Sequence, residues 1–252
     1  MERKNADKIN DKWFDGMAFQ DSDADPEFSE IAASFLCGDV LGRKGSLSDK
    51  QRALLILASL TASQTLNALY KYTTAAVNVG ATGEEIKETL YQCAPYVGLE
   101  KVQSALDEVN FALSDVGIKE TKPETQADEE ARFPVGLKVQ QMIFGEDNIN
   151  NMRKSAPKDL KHIQDFLSAY CFGDYYTRGG LDIKMRELVT FTAIISIGGA
   201  DQQAKAHAGA NISVGNTRAD LIDAVTTTLP FNGFPRSLNA IAAINEAVPA
   251  ED

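Results

Sequence analysis

Histidine is nearly missing from this 252-residue chain, which has two: His162 and His207. Cysteine is scarce too, and Cys37, Cys93 and Cys171 form no close pair. An odd, scattered set of thiols gives no disulfide framework, and with two isolated histidines it offers no zinc-ligand spacing. No metal site is expected. Positive charge is also in deficit, with 25 Lys and Arg against 36 Asp and Glu and a formal net charge of −11. Without a basic stripe, neither a nucleic-acid backbone nor an anionic membrane is an expected partner. A small anionic ligand would have to be gripped locally by individual arginines. No apolar run approaches the roughly 18–20 residues a membrane span needs. The opening MERKNADKINDKWFDGM lacks the apolar core of a signal peptide, so a cytoplasmic location is expected. Strand-like alternation is scarce.

What the chain does have is one pattern written twice. TGEEIKETLYQCAPYVG (82–98) matches TRADLIDAVTTTLPFNG (217–233) at a constant offset of 135 residues. Each copy opens on a capping box, Thr82 with Glu85 and Thr217 with Asp220. Each carries a proline, Pro95 or Pro230, with a glycine three residues later. Upstream, CGDVLGRKGSLSDKQRALLILASL (37–60) parallels FGDYYTRGGLDIKMRELVTFTAII (172–195) with one residue of slippage. Arg43 then answers to Arg178, Arg52 to Arg186, Ala53 to Glu187 and Tyr72 to His207.

Within each copy the apolar spacing is helical. Met185, Leu188, Val189, Thr192 and Ile195 share a face, as do Leu221, Ile222, Val225 and Leu229. The fold class is therefore all-α, a tandem duplication with helices of roughly 10–18 residues. The expected organisation is an N-terminal arm (1–25), a first repeat (26–116), an acidic linker (117–134) and a second repeat (135–252). Trp13, Phe14, Met17 and Phe19 of the arm are free to dock on a neighbour. Helices apolar on several sides point to burial between repeats or between subunits, so a homo-oligomer is expected.

The run FGDYYTRGGLDIKMRELVTFTAIISIGGADQQAKAHAG (172–209) and the later GFPRSLNA (233–240) resemble the carboxymuconolactone decarboxylase family, with GLKVQQMIFGEDNI (136–149) similar to its usual lead-in. The resemblance implies an alkylhydroperoxidase D-like helical module assembling into trimers or hexamers. It also implies a cofactor-independent loss of carbon dioxide from a small anionic lactone or related carbonyl acid of aromatic degradation. Such a reaction must stabilise an enolate and return a proton to carbon. His207 is the candidate proton donor; Arg178 or Arg186 is the candidate clamp for a substrate carboxylate. Glu187 stands where the thiol-peroxidase branch of the fold uses a relay glutamate. That branch also needs cysteines seven and four residues before the histidine, where this chain has Ala200 and Gln203. Thiol peroxidase chemistry is therefore disfavoured.

Other readings stay open from the residues alone. His207 could bridge helices, the arginines could tie loop carbonyls or acids such as Asp174 and Asp182, and Glu187 could face solvent with Lys184 and Lys205. Tyr176, Asn232 and Phe234 are candidate pocket residues, the last two because PFNGFPRSLN breaks the helical pattern. The family's decarboxylases tend to carry tryptophans where Phe172 and Tyr176 stand, and Arg-Pro-Gly-Leu where this chain has Arg178-Gly179-Gly180-Leu181. Lacking a histidine, the first copy is expected to be a structural partner. The rival to an enzyme is a non-catalytic scaffold or small-ligand binding protein of the same fold.

Overall fold

Capping and periodicity act locally, and the computed structural model, described over residues 3–18, 25–118 and 127–250, is helical wherever they are strong. Helix α1 (Arg3–Phe14) leads into α2 (Pro26–Ala33), which widens into π-helical turns over Ser34–Leu41. Then come α3 (Asp49–Ser63), α4 (Leu66–Asn78), α5 (Gly83–Val97) and α6 (Leu99–Asp115). The second half opens with α7 (Arg132–Phe144) and α8 (Glu146–Ser155). It continues with α9 (Lys161–Phe166), π-helical turns over Leu167–Tyr175, α10 (Ile183–Ile197), α11 (Asp201–Ser213) and α12 (Arg218–Ala247). No strand occurs among the described residues.

Both expected capping boxes form. Thr82 accepts from the Glu85 amide at 3.1 Å while Glu85 takes the Thr82 amide at 2.8 Å. Thr217 and Asp220 repeat the exchange at 3.2 and 2.8 Å. The break at PFNGFPRSLN is one residue: Gly233 adopts φ +71° and divides α12 into two limbs. Gly98, 135 positions earlier, separates α5 from α6 with φ +100°. Only glycine takes such backbone angles without strain.

Helices α3 and α10 lie at the centre, packed on each other, and each is covered by helices of both halves. Every residue from Arg52 to Ala62 and from Met185 to Ser196 is buried. The all-round apolar character of these two helices is thus explained by burial between repeats within one chain. The expected arm is itself mostly helix: Trp13 and Phe14 of α1 are buried in the chain's own core, Met17 is exposed, and Phe19 lies outside the described residues. No described helix is long and apolar enough to cross a membrane.

Helix α7 crosses the second π-helical stretch backbone to backbone. A Cβ on Gly173 would stand 2.1 Å from the Arg132 carbonyl oxygen, and one on Gly136 2.0 Å from that of Ser168. Gly173→Ala should therefore push α7 outward and destabilise the protein by about 1–3 kcal/mol. Urea melts would show it; an unchanged midpoint would mean that the crossing yields freely.

Candidate functional site

The candidate site grows from adjacent residues of α10 that face opposite tasks. Arg186 is fully buried and reaches the first repeat, donating to Glu88 at 2.9 Å, to Gln92 at 3.0 Å, and to the carbonyls of Arg178 and Gly179. Arg178 donates to the same Glu88 at 2.9 Å and lies over the Tyr91 ring. Burial pulls the Arg186 guanidinium below the usual arginine pKa, with Glu88 opposing the shift. The other half mirrors this clamp. Arg43 and Arg52 both donate to Asp223 at 3.0 Å, and Asp223 is Glu88's counterpart at the 135-residue offset. Each repeat thus grips the acid of the other.

Glu187 turns the opposite way. Its side chain is fully buried: one carboxylate oxygen lies 2.9 Å from Nδ1 of His207 and the other accepts the Tyr176 hydroxyl at 2.6 Å. Asn211, one turn beyond His207 on α11, donates to the Glu187 and His207 carbonyls at 3.1 and 2.8 Å, pinning α10 to α11. The imidazole is flanked edge-on by Phe144 of α7 and Tyr96 of α5, with centroids at 5.3 and 5.4 Å. About 10% of its side-chain surface remains open, and Nε2 makes no hydrogen bond among the described residues. Because a carboxylate only accepts, Nδ1 carries a hydrogen, and Nε2 is the nitrogen left for chemistry.

Behind Tyr176 the network continues. Thr190 and Tyr96 contact its oxygen at 3.0 and 3.2 Å, Gln92 donates to Thr190, and the Cys171 thiol donates to Tyr96 at 3.3 Å. Burial, reinforced for Tyr176 by the charge of Glu187 and for Tyr96 by Cys171, holds both phenols far above the ordinary tyrosine pKa, so they remain donors. Burial likewise pushes Cys171 and Cys93 up to about 12 and Cys37 up to about 11. At pH 8 a thiol of pKa 12 is ionised in about one molecule in ten thousand. The folded protein should therefore leave all three cysteines unmodified by iodoacetamide, with three adducts appearing by mass spectrometry only after denaturation. Rapid labelling of native protein would contradict the burial.

Of the residues expected at the site, His207, Glu187 and Tyr176 come together. The others do not join them. Arg178 and Arg186 hold Glu88 instead, because the first repeat supplies a carboxylate before any ligand can. Asn232 accepts from Ser59 on α3 at 3.1 Å, and its neighbour Phe231 packs edge-on against Tyr72, the first-repeat counterpart of His207. Phe234 is 62% exposed beyond the kink. The last turn of α5, which carries Tyr96, serves His207, and the matching stretch of α12, which carries Phe231, serves Tyr72. Asp174 pairs with Arg132, Asp182 caps α10, Lys205 pairs with Glu246, and His162 stacks on Phe166 at the surface. Phe144, Tyr96, Gln92, Thr190 and Glu88 went unread in the sequence. The usable signal lay in the repeat alignment, where two acids, Glu88 and Asp223, occupy matching positions. Among the described residues no group of three His, Cys, Asp or Glu could hold a metal ion.

A duplicated all-helical module with a buried Glu–His pair, and with Ala200 and Gln203 where a thiol pair would precede the histidine, defines the class. The chain belongs to the carboxymuconolactone decarboxylase family, whose model matches residues 26–110 and 161–246. It is 26% identical over 118 residues to the 4-carboxymuconolactone decarboxylase of Acinetobacter baylyi, covering 47% of this chain and 87% of the relative. It is 25% identical over 116 residues to the nitrosuccinic acid decarboxylase of Metarhizium robertsii, covering 46% and 80%. A crystal structure assigned as a gamma-carboxymuconolactone decarboxylase subunit from Burkholderia xenovorans LB400 superimposes with a TM-score of 0.54 at 18% identity, over 98% of this chain and 99% of that one. That likeness extends the shared fold across both repeats.

Proposed function

We propose that the protein is a cofactor-independent decarboxylase of a small carboxylic acid whose departing carboxylate leaves its electrons in an adjoining electron-withdrawing group. The observation that carries this reading is the His207 imidazole, held through Nδ1 by buried Glu187 with Nε2 unengaged between two aromatic rings. The carbon–carbon bond to the carboxylate breaks, carbon dioxide leaves, and the electron pair moves into the carbonyl or nitro group. Nε2–H of the doubly protonated ring then delivers its proton to carbon. Glu187 steadies the imidazolium beforehand, and the ring recovers its proton from water.

An apolar cage assists the same step. A carboxylate set against Phe144 and Tyr96 loses hydration that neutral carbon dioxide never needed, which favours its release. The two relatives named as decarboxylases act on a carboxylated lactone and a nitro diacid. Both substrates pair a carboxyl group with an electron sink, which fits the proposed class. The test is carbon dioxide release from carboxymuconolactone and nitrosuccinic acid in deuterium oxide. One deuterium should enter the carbon that lost its carboxylate, and release without that deuterium would refute proton return from an exchangeable group. A cytoplasmic location and a homo-oligomer, trimer or hexamer, go with this reading.

One observation favours the rival reading of a scaffold or binding protein: His207 is only 8% exposed and neither predicted arginine is left to grip substrate. Tight binding of the same acids without gas release would decide for it.

A further inference from the structure

The two halves of the chain differ in a way that singles out a set of residues. Both keep the clamp, Arg43, Arg52 and Asp223 matching Arg178, Arg186 and Glu88. Only one keeps the network around the imidazole. Where the second repeat has Tyr176, Glu187, Thr190 and His207, the first has Leu41, Ala53, Ile56 and Tyr72. The residues facing that network from α5, Gln92 and Tyr96, are answered on α12 by Thr227 and Phe231. The ring packing nonetheless persists, because Tyr72 lies edge-on between Phe14 and Phe231 as His207 lies between Phe144 and Tyr96. Shape is retained on both sides; the polar chain is confined to the side with the imidazole.

The direction of every hydrogen in that chain follows from its ends. A guanidinium can only donate, so Arg186 fixes the Gln92 amide oxygen toward itself and the amide nitrogen toward Thr190, at 3.0 and 3.1 Å. Thr190, already accepting, gives its hydrogen to the Tyr176 oxygen, because the Tyr176 hydrogen goes to Glu187. Tyr96 must then also donate to Tyr176, which leaves its own oxygen to accept the Cys171 thiol. Both lines of donors meet at the Tyr176 oxygen, whose own hydrogen goes to Glu187. Glu187 is held as an acceptor, aimed at Nδ1.

We infer that Gln92 and Tyr96 of the first repeat are positioning residues for His207, acting through Thr190, Tyr176 and Glu187. The single site is thereby built by both repeats, and the first is more than a packing partner. This rests on the proton-donor reading of His207, but its test does not need turnover. With two histidines in the chain and His162 exposed, ring-labelled protein gives a two-imidazole NMR spectrum. Wild-type His207 should show a slowly exchanging Nδ1–H. Thr190→Val and Gln92→Met should lose that signal and lower kcat roughly tenfold with little change in KM. Thr190→Ser, which restores the hydroxyl, should recover the signal and most of kcat. Thr227→Val, a truncation at the position that answers Gln92 on α12, should leave the signal unchanged. If Thr190→Val does not fold, Tyr96→Phe takes its place, removing one oxygen from the same chain.

An unchanged Nδ1–H in these variants overturns the inference, as does its loss in Thr190→Ser as well as Thr190→Val, which would mark a packing effect. Should wild-type protein release no carbon dioxide from any acid tried, the decarboxylase reading fails while the ring signal still decides this one.

Discussion

Glu88→Gln is expected to destabilise the protein by about 3–5 kcal/mol, the cost of leaving a buried charge without its partner. Glu88 is fully buried and neutralises two guanidiniums, one of them also without solvent access. Glutamine fits the space but removes the negative charge, and its amide group turns donors toward donors. Against a usual total of about 5–15 kcal/mol, that loss is roughly a fifth of the stability or more. Asp223→Asn should cost a similar amount, since Asp223 holds Arg52, Arg43 and the Leu47 amide with 2% exposure. Urea denaturation measures both. A loss below about 1 kcal/mol would show that the arginines escape to water and that the clamp contributes little. The two variants should also part company at the imidazole, because only Glu88 touches Arg186, the start of the chain that ends at Glu187.

His207→Gln should reduce turnover by about 10²–10⁴, the usual contribution of a placed proton donor. Glutamine is preferable to alanine here. Its amide nitrogen can still donate to Glu187, so the carboxylate keeps a partner and the cage between Phe144 and Tyr96 stays filled. Thermal stability should stay within a few degrees, separating lost chemistry from lost structure. A variant that turns over at the wild-type rate would remove His207 from the mechanism. One that unfolds would make it a bridge between helices. Glu187→Gln should also impair turnover, because an amide can present a donor to Nδ1 and release the ring from its aim.

Much of the fold was legible because its causes are local. Thr82 and Thr217 cap their helices through residues three positions away, and the same apolar spacing recurs at a fixed offset. The Glu187–His207 pair was legible only through resemblance. Read by neighbours alone, Glu187 could equally face solvent with Lys184, whereas its true environment is set by α11 and by Tyr176. The arginines were misread for a related reason. Two guanidiniums near a helix start look poised for a ligand, and nothing nearby in sequence announces that a carboxylate 90 positions upstream will occupy them.

By itself, the sequence established an all-helical duplicated chain, its caps and breaks, the absence of a thiol pair, and an imidazole in the second copy alone. Those properties depend on contacts within a helical turn or on plain residue identity. Tertiary structure alone decided that the repeats exchange their buried acids, that Tyr96 and Phe144 enclose the ring, and that Asn232 bonds Ser59 of the first repeat while Phe234 is left exposed. Such choices arise where α3 and α10 pack together and the helices of each half cross to cover the other's, an arrangement of surfaces that no periodicity along the chain encodes.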